Sequence, residues 1–260
     1  MKAFALNRPW LLGVATSILF LIGWQLTPMM GLIDAQLVPP ATTVLNRFFL
    51  QWLDPTFYPD LLITILRVAG GFLLAAAVAI PLGLAMGYWQ SVHRMFGLTI
   101  ETIRPIPASA LVPIAAAMFG IGNIMHISVV FLATVVPILL ASVDGVRNVD
   151  PILISTARTF KRTTPDIFRT VLLPAALPHI VTGLRISIAI ALVVGISSEM
   201  IMSAEGLGRR VVYAQRMLRV PELYAGVITL ALLGYGFNRT FLLLENRILG
   251  WHRQAMAKNW

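Results

Sequence analysis

The chain has no cysteine, which excludes disulfides, thiolate metal sites and cysteine nucleophiles. Charge is scarce: 12% of the 260 residues are Asp, Glu, Lys or Arg, against roughly a quarter in soluble domains. The histidines, His93, His126, His179 and His252, are far apart with no ligand spacing, so no metal site is expected. No Gly-x-x-x-x-Gly-Lys-Ser/Thr stretch occurs. The chain therefore lacks the loop that cradles nucleotide phosphates, and any energy from ATP has to come through a partner. Neither an intramembrane row of carboxylates nor an internal repeat is visible, which argues against a secondary transporter or channel not driven by ATP. A membrane-embedded enzyme would need His, Asp or Ser machinery clustered at one interface, and none is apparent.

What the chain does have is apolar length. It is 58% hydrophobic with a mean hydropathy of +0.82, and its runs reach the roughly 20 residues needed to cross a bilayer. A single soluble domain with buried helices does not account for such runs. The formal charge of +9 does not point to nucleic acid, because the basic residues sit mostly in short connections, where they set membrane orientation.

Read in order, Lys2 and Arg8 precede a first span, Pro9 to Leu26, expected to be a retained anchor and not a signal peptide. Val44, Leu45, Phe48, Phe49 and Trp52 follow at helix-like spacing with Asn46, Arg47 and Gln51 between them, an amphipathic helix suited to the interface. Leu61 to Trp89 is the second span, containing Gly70-Gly71 and Pro81. Ser91 to Arg104 reads as a short polar connection. Pro105, Pro107 and Pro113 should bend or break the third span, which ends at Phe119-Gly120-Ile121-Gly122. Met125 to Ala141, Ile180 to Met202 and Leu223 to Leu244 are the fourth, fifth and sixth, and Trp251 to Trp260 is a basic tail. Lys2, Arg8, Arg94, Arg104, Arg147, Arg158, Lys161, Arg162, Arg169, Arg247, Arg253 and Lys258 fall on one side. Arg47, Arg209, Arg210, Arg216 and Arg219 fall on the other, so both termini are expected in the cytoplasm. The loop from Ala204 to Glu222 runs against that rule with four arginines: either it has a task needing positive charge or the sixth span is misplaced.

The longest polar stretch is Val143 to His179. Asp150-Pro151 opens it as a helix cap, and Leu153, Ala157 and Phe160 form one apolar stripe. Lys161-Arg162-Thr163-Thr164 breaks the pattern, Thr164-Pro165 repeats the capping signature, and Phe168, Val171 and Leu172 make a second stripe ending at Pro174. The pattern predicts a helix–turn–helix against the inner membrane face with its tip offered to a partner.

At this segment the sequence resembles the membrane subunits of ATP-binding-cassette importers, in the group that handles nitrate, taurine and alkanesulfonates. Leu173-Pro174-Ala175-Ala176-Leu177-Pro178-His179-Ile180 and Thr182-Gly183-Leu184-Arg185-Ile186 are similar to that family. Its Glu-Ala-Ala motif falls on Ser155, Thr156 and Ala157, and its glycine on Lys161, so the first half departs from the pattern. Arg104-Pro105-Ile106-Pro107, Val146 to Asp150, and Ser198-Glu199-Met200-Ile201 followed by Gly206-Leu207-Gly208 also resemble it.

The resemblance implies an all-α membrane protein of about six spans, with the type I importer permease fold and a cytoplasmic coupling loop at 143–179. It divides the chain into an N-terminal helix and periplasmic amphipathic segment (1–60), a transmembrane domain (61–250) and a cytoplasmic tail (251–260). The location implied is a bacterial inner membrane. Two cytoplasmic ATPase subunits would carry ATP and magnesium, with no cofactor bound here directly. A second permease copy, the same chain in preference to a different one, would complete the pathway. A periplasmic or lipid-anchored binding protein would deliver a small anionic or polar compound, a sulfonate, nitrate-like or carboxylate solute. Besides lipid, no nucleic acid is expected as partner.

The residues implied for ATPase coupling are Ser155, Thr156, Ala157, Arg158, Phe160, Lys161, Arg162, Pro165, Leu173 and Pro174. A glycine in the turn would permit a positive φ, which Lys161 accepts only at a cost. Candidates for the translocation pathway are Ser197, Ser198, Glu199, Ser203, Arg104 and Pro107. Glu199 in an apolar run either lines a path or pairs structurally with Arg67, Arg185 or Arg239; the pair is preferred, because a pathway carboxylate would repel anions. The serines equally suit close helix packing. Arg209 and Arg210 of the outer loop, with Arg216 and Arg219, would either draw in anions, hold an acidic partner, or simply be solvated.

Overall fold

A computed structural model describes residues 9–250; Lys2, Arg8 and the tail expected at 251–260 lie outside the described residues. Eleven α-helices occur among the described residues: α1 Pro9–Met29, α2 Ala41–Gln51, α3 Phe57–Tyr88, α4 Gln90–Ile103, α5 Leu111–Phe119, α6 Asn123–Arg147, α7 Pro151–Thr159, α8 Thr164–Ile167, α9 Leu173–Met202, α10 Leu207–Arg216 and α11 Val220–Ile248. Five stretches are long and apolar enough to span a bilayer. A sixth arises if α4 and the segment Ala108–Phe119, bent 80° from it, count as one broken span. The bend falls where Pro105 and Pro107 remove backbone donors, as expected.

Ser91 to Arg104 is not a connection but the helix α4. Val92, Phe96 and Ile100 recur every four residues and pack into the core, an apolar stripe hidden among polar neighbours. The fourth and fifth spans are also longer than hydropathy indicated, because their ends are amphipathic and pack on each other beyond the apolar runs.

The described residues form two compact units. The first comprises the chain up to Pro59 and Arg210–Ala231. Here the Trp24 indole donates to the Pro39 carbonyl at 3.1 Å and its ring lies 5.9 Å from that of Tyr224. The amphipathic helix expected near Val44 is α2, which buries Val44, while Gln51 donates to Thr229 at 2.6 Å. The outer stretch expected to be a loop is largely the helix α10.

The second unit, Asp60–Arg209 with the described residues from Leu232 onward, holds the main core. Gly71 lies against Val130 and Gly87 against Val146, so α3 and α6 run in the same direction. Gly145 meets Ala176 and Gly183 meets Ala141, so α9 runs antiparallel to both. A side chain at Gly71 or Gly183 would collide with the facing helix, which is how membrane helices approach closely. Gly70, by contrast, has only an ordinary contact with Ile127, 3.7 Å from where a Cβ would sit. Val68, Ala75, Ile138, Leu139, Ala191 and Leu192 fill the interior between these helices.

Candidate functional site

Two polar constructions stand at opposite ends of the α3–α6–α9 core. At the end where α6 finishes, Asp150 accepts a hydrogen bond from the Ile152 amide at 2.8 Å and Pro151 occupies the first helical position of α7. That cap satisfies an orphan donor and fixes where the helix starts. Ala157 is the buried residue of α7 and packs with Val146, Val149, Ile167 and Leu172, leaving Ile152 and Phe160 67% and 76% exposed.

The helix ends in a Schellman motif. The Lys161 amide donates to the Arg158 carbonyl at 2.9 Å and the Arg162 amide to that of Ala157 at 3.2 Å. Lys161 sits at φ 53°, the left-handed position that glycine ordinarily fills, as the sequence implied.

The next corner is capped one residue earlier than expected. Thr163, not Thr164, precedes α8, donating from its hydroxyl to the Asp166 carboxylate at 2.7 Å. Its amide reaches the same oxygen at 3.3 Å. A π turn, Phe168–Leu172, then joins α8 to α9. Pro174 does not end the helix as expected; it lies in the first turn of α9, where a missing N–H costs little because a widened turn precedes it. The π turn also corrects the second apolar stripe: the buried residues are Ile167, Leu172, Ala176 and Ile180, with one five-residue step where the turn is wide, while Phe168 and Val171 are half-buried.

Of the residues implied for coupling, Thr156, Ala157, Phe160, Arg162 and Pro174 line one cavity of about 970 Å³ between α7 and the π turn. Ser155, Arg158 and Lys161 are exposed, as is Pro165, and Leu173 is half-buried; none of them lines that cavity.

The other construction ties α3 to the end of α9. Arg67 Nη1 lies 2.9 Å from Glu199 Oε1, with both side chains sealed from solvent. Arg67 also donates to Asn123 Oδ1 at 2.8 Å and to the Glu205 carbonyl at 3.0 Å. The Gly208 amide donates to Glu199 Oε2 at 3.0 Å, the Leu207 amide to Thr64 Oγ1 at 2.9 Å, and the Gly206 amide to Asp60 Oδ1 at 2.7 Å. Gly206 at φ +106° brings its backbone where a Cβ would strike the Glu199 carboxylate. Every oxygen of this buried carboxylate thus has a donor, the condition under which such a charge is tolerated. Next to Glu199 in the chain, Ser198 donates to the Gly195 carbonyl at 2.7 Å and sits 2.8 Å from His126 Nδ1. A hydroxyl has a single proton, so Nδ1 carries the hydrogen of the second bond.

Three comparisons bear on these constructions. The family of binding-protein-dependent transport system inner membrane components matches residues 79–249. The chain belongs to that family. It is a permease subunit of an ABC importer, a multi-pass membrane component. A Methanocaldococcus jannaschii chain named as an ABC transporter permease protein is 38% identical over 193 residues, 74% of this permease and 72% of that one. The taurine transport system permease protein of Escherichia coli is 28% identical over 255 residues, 96% and 93% of the two chains. The fold is also that of the membrane subunit in inward-facing MetNI methionine ABC transporter structures, with TM-score 0.59 and 19% identity over 74% of this chain and 93% of that one.

Within the permease, Ser198 and Glu199 point into the helix core and Ser203 receives Arg67 at 3.3 Å. Ser197 is half-buried, whereas Arg104 and Pro107 are exposed at the α4 break. Arg210 contacts Asp54 at 3.2 Å and Arg209 contacts Asp60 at 3.6 Å, so both arginines have carboxylate neighbours in their own unit. Sequence reasoning marked Gly206 only as part of a motif and missed Asp60, Thr64, Asn123 and the role of His126. A signal existed: Asp60, Thr64 and Arg67 fall at i, i+4 and i+7 of an otherwise apolar helix, one polar stripe.

Proposed function

We propose that α7 and its following corner dock on a cytoplasmic ATPase and pass its closure to the membrane helices. The observation that supports this is a nine-residue helix, capped at both ends, held to the core through Ala157 and presenting Ile152, Phe160, Arg158 and Lys161 outward. A protruding rigid helix with apolar and basic side chains fits a groove on a partner. Two copies of this chain, two ATPase subunits carrying ATP and magnesium, and a periplasmic or lipid-anchored binding protein make up the proposed importer. Both termini then face the cytoplasm and the permease itself catalyses nothing. The relative named for taurine supports a small anionic or polar organic solute as cargo. The importer works by two conformations whose balance the ATPase's nucleotide state biases.

Co-purification from mild detergent tests the reading. The permease should carry an ATPase subunit with it, and uptake should need ATP and not an ion gradient. A chain lacking Thr156–Thr164 that still retains the ATPase and transports would sink it.

A further inference from the structure

We infer that Arg104 is the anion-recognition residue of the membrane pathway: its guanidinium receives the sulfonate, carboxylate or similar oxyanion of the solute. The inference rests on the permease reading above and assigns that reading a binding residue. Arg104 stands at the break between α4 and α5, flanked by Pro105 and Pro107. Two cavities meet at it. One, about 600 Å³, runs along Pro137, Asp144, His179 and Thr182; the other, about 320 Å³, is walled by Leu111, Ala133 and Ile190. Both are within the size range of small-molecule sites, roughly 300–1,000 Å³.

Height matters here. Both cavities share Pro137 and Leu140 of α6. Pro137 is about 21 Å along that helix from Asn123 and about 15 Å from its end at Arg147 at 1.5 Å per residue, so the cation faces the half of the span nearer α7, inward of the rim where the charge count set it. An arginine at such depth is retained only against protein or water, and by default marks a function.

Two arginines within the spans have internal partners, whereas Arg239 of α11, like Arg104, makes no ion pair among the described residues. Arg67 has Glu199, and Arg185 lies 4.0 Å from Glu245. Among the described residues Arg104 makes no ion pair and no side-chain hydrogen bond. Of the nearby carboxylates, Glu101 stands one turn back on α4 and Asp144 lines only the larger cavity, a full helical turn past Leu140, and neither forms an ion pair with Arg104. A guanidinium with five donors and no acceptor in the chain is arranged for a planar oxyanion ligand.

The cysteine-free sequence makes the test direct. Ala133→Cys places one thiol on the wall of the smaller cavity. The full-length permease, purified with whatever ATPase accompanies it, is treated with 2-sulfonatoethyl methanethiosulfonate or its trimethylammonium counterpart. Each rate is normalised to the same thiol in the unfolded chain. The expected result is a preference of about tenfold for the sulfonate, in line with one charge a few ångströms away in a partly hydrated site. Arg104→Lys should keep most of that preference and Arg104→Gln should abolish it. Equal preference in the glutamine variant overturns the inference. So does a thiol that neither reagent reaches, because the cavity is then closed to solute. Loss of the ATPase during purification would count against the importer reading alone, since labelling is read on the permease in either case.

Discussion

Arg67 and Glu199, 132 positions apart, meet at 2.9 Å with neither side chain open to solvent. Their contact does more than neutralise charge, because Glu199 also accepts the Gly208 amide and Arg67 holds Asn123 and the Glu205 carbonyl. Four segments, from α3, α6, α9 and the turn leading to α10, are therefore tied at one point.

Replacing Glu199 by Gln leaves Arg67 buried without its counter-charge. The expected loss is about 3–5 kcal/mol, read as thermal stability in detergent. Arg67→Met together with Glu199→Leu should recover part of that loss and not all of it, because the Gly208 amide still lacks an acceptor. A double variant as stable as the native chain would show that the pair contributes nothing to the tie.

At the α7 corner, Lys161→Gly should stabilise the permease by about 1 kcal/mol by relieving left-handed backbone strain. That corresponds to a midpoint shift of roughly 2–4 °C for a chain of this size. Lys161→Val should shift it the opposite way, since a β-branched residue tolerates that conformation least.

Adjacent glycines of α3 offer an internal control. Gly71→Ala places a methyl 2.6 Å from Val130 and 2.8 Å from the Ile127 carbonyl, and should cost about 1–3 kcal/mol through overpacking. Gly70→Ala meets nothing closer than 3.7 Å and should be neutral or stabilising by up to about 1 kcal/mol from helix propensity.

Much of this was legible in the sequence. Apolar run lengths gave the spans, Pro105 and Pro107 gave the break, and Asp150-Pro151 gave the start of α7. What was hidden depends on packing. Val92, Phe96 and Ile100 declare α4 only because the core receives them, and hydropathy averaged over a window cannot see a stripe one residue wide. The π turn was invisible because Phe168–Leu172 has no sequence mark of its own. Glu199 was recognisable as a buried charge, but nothing local chose Arg67 over Arg185 or Arg239. That choice comes from α3 and α9 crossing antiparallel, which brings the polar stripe of Asp60, Thr64 and Arg67 to the end of α9.

Charge reversal at Arg158 and Arg162 together should lower retention of the ATPase by at least about tenfold, close to 1.4 kcal/mol, while the permease itself stays folded. Unchanged retention would assign these bases to lipid headgroups instead.

Asp54 gives a pH signature. Hydrogen bonds from the Thr56 hydroxyl and amide, then Arg210, hold its carboxyl below the ordinary 3.8. A lowered value means the contact is present above pH 3.8 and lost as pH falls through the folded-state value. Proteolysis between Trp52 and Phe57 should therefore rise as the pH falls below 3.8, and Asp54→Asn should remove that dependence.

The widened turn between α8 and α9 has a consequence for how mutations in this region behave. A π turn holds one residue more than ordinary helix, and each residue advances the chain by about 100°. Deleting a single residue from Phe168–Leu172 would therefore let the turn close as ordinary helix, shortening the five-residue step from Ile167 to Leu172 to four and leaving α7 nearly where it is. A deletion in the regular helix that follows would instead swing everything upstream through about 100° about the α9 axis, so the wide turn is the one stretch here that should tolerate the loss of a residue.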